Sequence, residues 1–513
     1  MKHLARSTLI IAVFFGLEKV LGFVRQVLIS NTFGRSAALD AFNAANNIPD
    51  MLFALISGGA LAMALIPVLS EYLETQGRQQ AWDLFSRIAN LVFLVATGLS
   101  ILIAIFAKQL VHWNIGIAPG FGPEQQILVA NLMRLNLVAT IIFAMAGLVI
   151  AGLQANQHFL LPAIALSMYD IGALIGILIF VPEQGFSLGP ITLPALGMGI
   201  YGLVYGTILG AALFLGIQLP GLVKYKFRWT PKINLNHPGV RQVLIVFGPR
   251  ILTVFFIQSI FIAQDNIASR LIEGSVTALV YGWLFMQVPE SLIGTAIGTA
   301  LLPTISEQAT RNENQALRRS LNTTIRVILA LTIPATILLI VGIPPLVGIL
   351  GFDEIGTTQI IGTTRAYALG LVAYSLIEVT ARAFYAQQNA RTPLLTIMLT
   401  FVTFVALAIP LSIWIDVPGI ALANSAAFTL QLFVMLWLLN KKYPGFSEAR
   451  STLRRVIPAS LVSSAIVLLL TNLPLFDLLG SIARTIAGMG ILGLGVLVVL
   501  PFIWPEIKLI MKL

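Results

Sequence analysis

Cysteine is absent from this chain, histidine is rare, and charged residues make up only 10% of the sequence. Without cysteine there is no disulfide framework, no thiolate metal site and no cysteine nucleophile. The histidines, at positions 3, 112, 158 and 237, form neither an HExxH pair nor a cluster spaced like metal ligands. The sequence therefore predicts no metal site and no cofactor.

Nucleotide and enzyme signatures are also missing. The sequence contains no Walker motif, so direct use of ATP is not expected. No Ser/His/Asp set or carboxylate pair occurs in a segment that could form a soluble active site. These absences argue against an enzyme.

Apolar residues are in large excess. They make up 58% of the chain and the mean hydropathy is +0.92, whereas soluble domains carry about 25% charged residues. A soluble core could not bury this much apolar surface, so the surrounding medium must be lipid. The net charge of +10 could suggest nucleic acid, but its distribution follows membrane topology, and no nucleic-acid partner is expected.

Apolar segments of about 20 residues, long enough to span a bilayer, recur along the whole chain. There are about fourteen, at approximately 7–33, 41–69, 89–107, 127–153, 159–180, 193–219, 243–272, 276–305, 327–347, 361–384, 394–413, 419–439, 456–470 and 483–504. Continuous runs of this length are helical, because barrel strands would be short and alternating. The first run carries charges and no small-residue cleavage site, so it is predicted to be a span, not a signal peptide. The predicted fold is an all-α polytopic membrane protein.

The connections between these segments alternate in charge. The basic set comprises Lys2, Arg6, Arg78, Lys224, Lys226, Arg228, Lys232, Arg311, Arg318, Arg319, Arg391, Lys441, Lys442, Arg450, Arg454, Arg455, Lys508 and Lys512. The intervening connections carry Glu124, Glu183, Glu273, Asp353, Glu354, Asp416 and Asp477, with Arg35, Lys108 and Arg484 as exceptions. Because cytoplasmic loops are enriched in Lys and Arg, both termini are predicted to lie in the cytoplasm.

Two motifs occur twice, in the same order. Residues 64–71 (ALIPVLSE) return as 300–307 (ALLPTISE). The second echo pairs Ala155, Gln157 and Pro162 with Ala386, Gln388 and Pro393. Such echoes indicate a duplicated unit of more than about 200 residues, as in transporters built from two like halves.

The repeat sets the predicted domain organisation. An N-lobe, residues 1–222, holds the first six spans, and a basic cytoplasmic linker, 223–242, joins it to a C-lobe, 243–442, with the next six. Because six is even, the lobes share one orientation and form a parallel pseudo-repeat about an axis along the membrane normal. Residues 443–513 add two C-terminal spans and a cytoplasmic tail.

Ionisable residues inside spans indicate function, because each costs about 2.5–3.5 kcal/mol at a helix centre. In the first span Glu18, Gly22 and Arg25 share a helix face, with Lys19 beside them. We expect these residues to line a central cavity between the lobes. Asp40 lies near the start of the second span, where snorkelling to the interface is the alternative role.

Charged residues also occur in the later spans. Arg250 lies in span seven and Arg382 in span ten, where Glu378 at i, i+4 could neutralise Arg382. The others are Asp50, Asp170, Asp265, Arg270, Glu290 and Arg365. Pro67 and Pro303, in the repeated motif, are predicted to shape helices, since proline removes a backbone donor.

Short motifs along the chain carry a family resemblance. They are Val20-Leu21-Gly22-Phe23-Val24-Arg25, Phe33-Gly34, Asp40-Ala41-Phe42, Asn47-Ile48-Pro49, Gly58-Gly59-Ala60, Ile66-Pro67, Gly248-Pro249, Tyr281, Pro289, Gly294, Gly298-Thr299, Leu302-Pro303 and Phe384-Tyr385-Ala386. With these motifs the chain resembles the MurJ (MviN) family of lipid II flippases, within the multidrug/oligosaccharidyl-lipid/polysaccharide exporter superfamily.

The resemblance implies alternating access in a bacterial cytoplasmic membrane. The implied substrate is an undecaprenyl-pyrophosphate-linked saccharide, most favourably the peptidoglycan precursor, with basic side chains holding the pyrophosphate. Spans 13 and 14 would take the lipid tail, and the membrane potential or a gradient of Na+ or H+ would drive transport. Membrane lipids and the peptidoglycan-synthesis machinery are the implied partners.

The resemblance can be carried over residue by residue. Lys19 falls where the family usually has Arg, and Arg25 and Asp40 match directly. The predicted substrate-binding residues are Glu18, Lys19, Arg25, Arg250 and Arg382, and the gating or structural residues are Gly22, Asp40, Pro67 and Pro303.

The chain departs from the family at its other charged positions. Phe53 stands where the family has Arg, and Trp283, Leu284 and Gln287 stand where it has Asp, Arg and Glu. Arg250 and Arg382 are hypothesised to replace the missing cations. The departures leave open a different polyprenyl-linked glycan as substrate. A MATE-like cation-coupled exporter is a further alternative, and a membrane glycosyltransferase is disfavoured by the short outer loops.

Overall fold

The computed structural model describes residues 2–56, 59–185, 187–188, 191–311, 313–442, 449–477 and 479–510. The helices of the first half are α1 (Lys2–Phe33), α2 (Ala37–Ile56), α3 (Gly59–Thr75), α4 (Arg78–His112), α5 (Pro123–Ala155), α6 (Leu160–Ile175), α7 (Ile200–Gly216), α8 (Leu219–Lys224) and α9 (Pro238–Ala268). A π-helical turn, Gly176–Phe180, extends α6. A minimal antiparallel hairpin, β1 (Ser187–Leu188) with β2 (Ile191–Thr192), precedes α7.

The second half is helical throughout the described residues. Its helices are α10 (Ser275–Glu290), α11 (Ala296–Thr310), α12 (Asn314–Val347), α13 (Glu354–Ala368), α14 (Leu371–Ala386), α15 (Arg391–Ile415), α16 (Val417–Lys442), α17 (Ala449–Thr471), α18 (Pro474–Asp477) and α19 (Ser481–Ile510). A π-helical turn, Ser291–Thr295, joins α10 to α11, and a short 3-10 turn, Gly348–Leu350, follows α12.

The predicted all-α membrane fold is confirmed. In the described residues 11 helices are long and apolar enough to cross a membrane, or 12 if α13 and α14, bent by 43°, form one span. The prediction of about fourteen also included α1 and the α2–α3 pair, which this count does not contain. Polar residues interrupt α2, including Asn43, Asn46 and Asn47, and α3, with 17 residues, is shorter than the about 20 residues that a span needs.

The chain forms two compact units, Met1–Asn266 and Ile267–Leu513. In the first unit, α5 packs against α2, α4 and α7, and α6 packs between α1 and α7. In the second, α12 packs against α13, α17 and α19, and α16 packs against α15. The units divide near the end of α9, whereas the predicted lobes divide before it, at 223–242. The lobe boundaries stay a prediction, because they were drawn from the sequence repeat, whereas the two units are defined by their compactness.

The repeated motifs have like local structures. Gln157 and Gln388 both have a φ of 58°, and in both cases the next N–H closes the preceding helix, from His158 to Leu153 O and from Asn389 to Phe384 O, at 2.9 Å. This is the left-handed C-terminal cap that usually favours glycine.

The other motif places proline inside a helix in both copies. Pro67 lies in α3 and Pro303 in α11, and both are exposed. Their neighbours Leu65 and Leu301 are buried. The same helix face is therefore buried in each copy, as expected for a duplicated unit, while a gating role for the prolines stays a prediction.

Gly199 and Asp416 precede corresponding helices of the two halves, and their backbone angles predict an effect on stability. Gly199 precedes α7 with φ 55° and ψ −137°, and Asp416 precedes α16 with φ 56° and ψ −143°. This region strains any residue with a Cβ. Asp416→Gly is expected to raise the free energy of unfolding by about 1 kcal/mol, and Gly199→Ala to lower it by about as much. Thermal unfolding in detergent measures both; shifts of the same sign would contradict the strain argument.

The basic linker is fastened to α4 by hydrogen bonds. Trp82 Nε1 donates to Tyr225 O at 3.0 Å, and Asn90 Nδ2 donates to Thr230 O at 2.7 Å. Thr230 Oγ1 also donates to Asp83 Oδ1, at 3.1 Å. The segment after α8 therefore lies along the start of α4, and these hydrogen bonds hold it there.

Glycines allow α6 and α7 to approach closely. A Cβ built on Gly172 would lie 2.3 Å from Gly210 Cα, a distance at which something must shift. Gly172→Ala is expected to cost about 1–3 kcal/mol of unfolding free energy, because the helices must separate. Gly216→Ala is the matched control, since a Cβ there meets nothing within 4 Å. Equal thermal midpoints for the two variants would show that the contact is unimportant.

Candidate functional site

An ion pair between α1 and α6 is the best-defined charged contact in the first unit. Arg25 Nη1 lies 2.8 Å from Asp170 Oδ1, and the two side chains are 17% and 3% exposed. Arg25 Cζ lies 4.8 Å from the centre of the Tyr169 ring, a cation–π geometry. Arg25 is thus held by charge on one side and by an aromatic face on the other.

Gly22 lies beside this contact. A Cβ at Gly22 would lie 3.7 Å from Asp170 Oδ1, an ordinary van der Waals distance, so the α1 backbone is close to the carboxylate and the contact does not require glycine. Asp170 is an acid in an apolar span and was not among the predicted site residues. Its place in an apolar run was the available signal, and its partner could not be identified from spacing.

Glu18 and Lys19 form a second pair on α1. Lys19 Nζ lies 3.3 Å from Glu18 Oε2, and the Lys19 side chain is 73% exposed. An exposed pair of this kind is weak, so Lys19 can exchange its partner easily. Both residues also act electrostatically on Asp170. The formal charges of Glu18, Lys19, Arg25 and Asp170 therefore sum to zero.

Asp40 lies in a separate polar region around α2. It is buried, and it acts electrostatically on Asp265 of α9. Asn47 Nδ2 donates to Asp265 Oδ2 at 2.5 Å, which joins α2 to α9. On the other side of α2, Asn136 donates to Asn46. A gating role for Asp40 stays a prediction; the structure shows a buried acid, not one that snorkels outward.

Aromatic rings occupy two positions where the resemblance led us to expect charged residues, Phe53 in place of Arg and Trp283 in place of Asp. Phe53 packs edge-on against Phe143, at 5.8 Å between centroids, and Phe143 contacts Tyr169 at 5.5 Å. Since Tyr169 lies under Arg25, an aromatic row connects the Phe53 position to Arg25. In the second unit Trp283 contacts Tyr367 and Tyr374 at 5.3 and 5.4 Å.

Arg382 of the second unit is engaged with two neighbours. Its Nη2 lies 2.9 Å from Glu378 Oε2, one turn away on α14, and its Nη1 donates to Thr299 Oγ1 at 2.6 Å. The self-neutralising i, i+4 pair is therefore present, and substrate binding by Arg382 stays a prediction. The Arg250 side chain lies outside the described residues, although its backbone belongs to α9. Within the described residues, no three His, Cys, Asp or Glu side chains could together hold a metal ion.

A helical bundle with many spans, a duplicated motif pattern and charged pairs inside the spans defines a multi-pass membrane transporter. The profile of a protein family described as lipid II flippase MurJ matches residues 29–484. A relative from Burkholderia cenocepacia, named lipid II flippase MurJ, is 30% identical over 403 residues, which cover 76% of this chain and 75% of that protein. The chain belongs to the lipid II flippase MurJ family.

Other comparisons agree on the fold. A probable lipid II flippase MurJ from Vibrio cholerae is 25% identical, over 96% of this chain and 94% of that protein. A solved structure of lipid II flippase MurJ in an inward closed conformation superposes with a TM-score of 0.76 at 23% identity, covering 96% of this chain and 98% of that one. An inward-facing MATE family transporter gives 0.67 at 14% identity, covering 83% and 96%. At these identities the solved structures establish the shared fold alone.

Proposed function

We propose that this chain is a flippase that moves lipid II, the undecaprenyl-pyrophosphate-linked peptidoglycan precursor, across the cytoplasmic membrane by alternating access. Family membership supports the class of substrate. The observation that carries the proposal is Arg25, a cation inside α1 that is held between Asp170 and the Tyr169 ring. A guanidinium suits pyrophosphate, because its planar donors can bind two oxygens at once.

The charge balance of the α1–α6 cluster indicates how an anion would bind. Lys19 is exposed and weakly paired, so it meets the pyrophosphate first and leaves Glu18. Arg25 then shares its guanidinium between Asp170 and the phosphate oxygens, while the Tyr169 ring keeps it in place, so Asp170 is not left buried without its cation. Because each cation has a carboxylate partner, the empty site holds no unpaired buried charge.

The topology, the driving force and the partners are part of the same proposal. Both termini lie in the cytoplasm, as the basic connections indicate. Transport is driven by the membrane potential or by Na+ or H+, without a cofactor. The helices α17 and α19, outside the repeat, receive the polyprenyl tail, and membrane lipids surround the bundle. Proteins of peptidoglycan synthesis are the proposed partners.

A second candidate is a different polyprenyl-linked glycan. The aromatic residues Phe53 and Trp283, at positions where the family resemblance implies charged residues, favour it. Aromatic faces pack against the apolar faces of sugars, whereas guanidinium groups bind phosphate or carboxylate. Both candidates share the pyrophosphate and the role of Arg25, and they differ in the saccharide.

Rescue of a bacterium depleted of its own lipid II flippase tests the proposal. We expect the unaltered chain to restore growth and Arg25→Ala to abolish rescue at equal membrane levels. Arg311→Ala is the matched control, because Arg311 forms an exposed i, i+4 pair with Glu307. No rescue by the correctly inserted chain would favour the other glycan. Full rescue by Arg25→Ala would remove Arg25 from the substrate site.

A further inference from the structure

Asp50 is a carboxylate of α2 that takes no part in the α1–α6 cluster. It is exposed, and it lies on the side of α2 opposite to the buried residues of that helix, which include Ala41 and Leu52. Among the described residues, none forms a hydrogen bond or an ion pair with its carboxylate. No charged side chain in the described part of the chain acts on it either. Both oxygens of Asp50 are therefore available to a ligand.

The surroundings of Asp50 indicate water and not lipid. A carboxylate without a partner is costly inside a span, so it faces a wet cavity. Protein atoms around Asp50 desolvate its carboxylate although the side chain is exposed, and a residue that is both enclosed and exposed lines a recess. One turn earlier, on the same side of α2, Asn47 donates to Asp265 of α9. The recess therefore begins where the contact between α2 and α9 ends.

Phe53 extends this surface of α2 by one turn. It follows Asp50 at i, i+3, about 4.5 Å along the helix axis, and it is 36% exposed. A row of rings leads from it to the cation of α1. The centroids of Phe53 and Phe143 are 5.8 Å apart, those of Phe143 and Tyr169 are 5.5 Å apart, and Arg25 Cζ lies 4.8 Å from the Tyr169 centroid. A ligand whose phosphate is held at Arg25 can therefore reach Phe53 and Asp50 with the saccharide bonded to that phosphate.

We propose that Asp50 and Phe53 form a saccharide subsite for the lipid-linked substrate. This inference rests on the proposed function and adds the part of the substrate that the α1–α6 cluster does not hold. An ionised carboxylate only accepts hydrogen bonds, which suits the hydroxyl and amide N–H groups of an N-acetylated sugar, and an aromatic ring packs against the apolar face of that sugar. Because Asp50 repels phosphate, the pyrophosphate stays at Arg25 and the substrate binds in one direction along the row of rings.

Binding of two lipids to the purified full-length chain in detergent tests the subsite. The probes are undecaprenyl pyrophosphate alone and undecaprenyl pyrophosphate bearing a disaccharide of two N-acetylglucosamine units, so that only the saccharide differs. The unaltered chain should bind the disaccharide lipid at least about tenfold more tightly, because Asp50 and Phe53 contact only that lipid. Asp50→Ala should remove this preference without weakening the binding of undecaprenyl pyrophosphate, and Phe53→Leu should reduce it. Arg25→Ala should weaken the binding of both lipids.

Further variants separate recognition of the saccharide from a structural role. Asp50→Asn keeps an acceptor oxygen and should retain part of the preference. Glu74→Ala, the matched control, removes an exposed carboxylate of α3 and should change neither affinity. Because Asp50 has no partner among the described residues, Asp50→Ala should not lower the thermal midpoint.

The two lipids also separate failure of the subsite from failure of the proposed function. Equal affinities of the unaltered chain for the two lipids would overturn the subsite alone. A preference that survives in Asp50→Ala, or equal weakening of both lipids in that variant, would overturn it as well. Binding of neither lipid by the folded chain would instead count against the proposed function itself.

Discussion

Arg25→Ala should lower the free energy of unfolding by about 3–5 kcal/mol, because it leaves the Asp170 carboxylate buried without its cation. Removing one partner of a buried pair costs more than the pair itself contributes, since the remaining charge stays desolvated. Thermal or denaturant unfolding of the detergent-solubilised protein measures the loss. Arg311→Ala, in an exposed pair, should change stability by less than about 1 kcal/mol.

The double variant Arg25→Ala/Asp170→Asn separates structure from function. It carries no buried charge at this contact, so most of the lost stability should return. Transport should not return, because no guanidinium remains to bind pyrophosphate. If the double variant rescued growth as well as the unaltered chain, Arg25 would be a structural residue.

Asp170→Asn alone should act in the opposite direction on binding. It leaves the Arg25 guanidinium without its competing carboxylate, so undecaprenyl pyrophosphate should bind about tenfold more tightly. Release should slow by a similar factor, which would lower the maximal transport rate. A conservative Asp170→Glu change should keep both parameters closer to those of the unaltered chain. Unchanged binding in Asp170→Asn would show that Asp170 does not compete with the substrate.

The sequence was sufficient for the fold because the physics of lipid leaves few options. Each span must satisfy its own backbone hydrogen bonds, so a long apolar run is a helix wherever it occurs. The echoes at Gln157 and Gln388 were equally informative, since both positions adopt the same left-handed cap. Spans with polar faces are harder to recognise by hydropathy. The helix α2 carries asparagines that bond to α5 and α9, and these residues lower its hydropathy.

The charged contacts could be predicted only in part. Arg25 stands out as a cation in an apolar run, but its partner Asp170 is 145 positions further along and is fixed by how α1 and α6 pack. Pairs one turn apart, such as Glu378 with Arg382, are accessible from spacing. Contacts between distant helices depend on how each helix is rotated about its axis. Residue spacing within one sequence does not give that rotation.

Glu506 is a second acid that sequence spacing does not connect to its partners. It lies in α19 with a side chain that is 1% exposed, and Arg455 Nη2 of α17 approaches its Oε1 at 2.5 Å. Arg326 Nη2 of α12 lies 3.5 Å from the same oxygen, and Thr452 Oγ1 donates to it at 2.8 Å. One carboxylate therefore ties α17 and α19, the helices outside the repeat, to α12.

Removing both cations, in Arg326→Gln/Arg455→Gln, should destabilise the protein by about 3–5 kcal/mol, because Glu506 would remain buried without a counter-charge. Adding Glu506→Gln to the pair should recover a large part of this loss, since no ion is then buried. The matched control is Arg450→Gln/Arg454→Gln, which removes the same charge from exposed positions of α17. Thermal unfolding and limited proteolysis between α16 and α17 report the outcome. Equal losses in the two double variants would mean that net charge, and not the contact with Glu506, holds these helices in place.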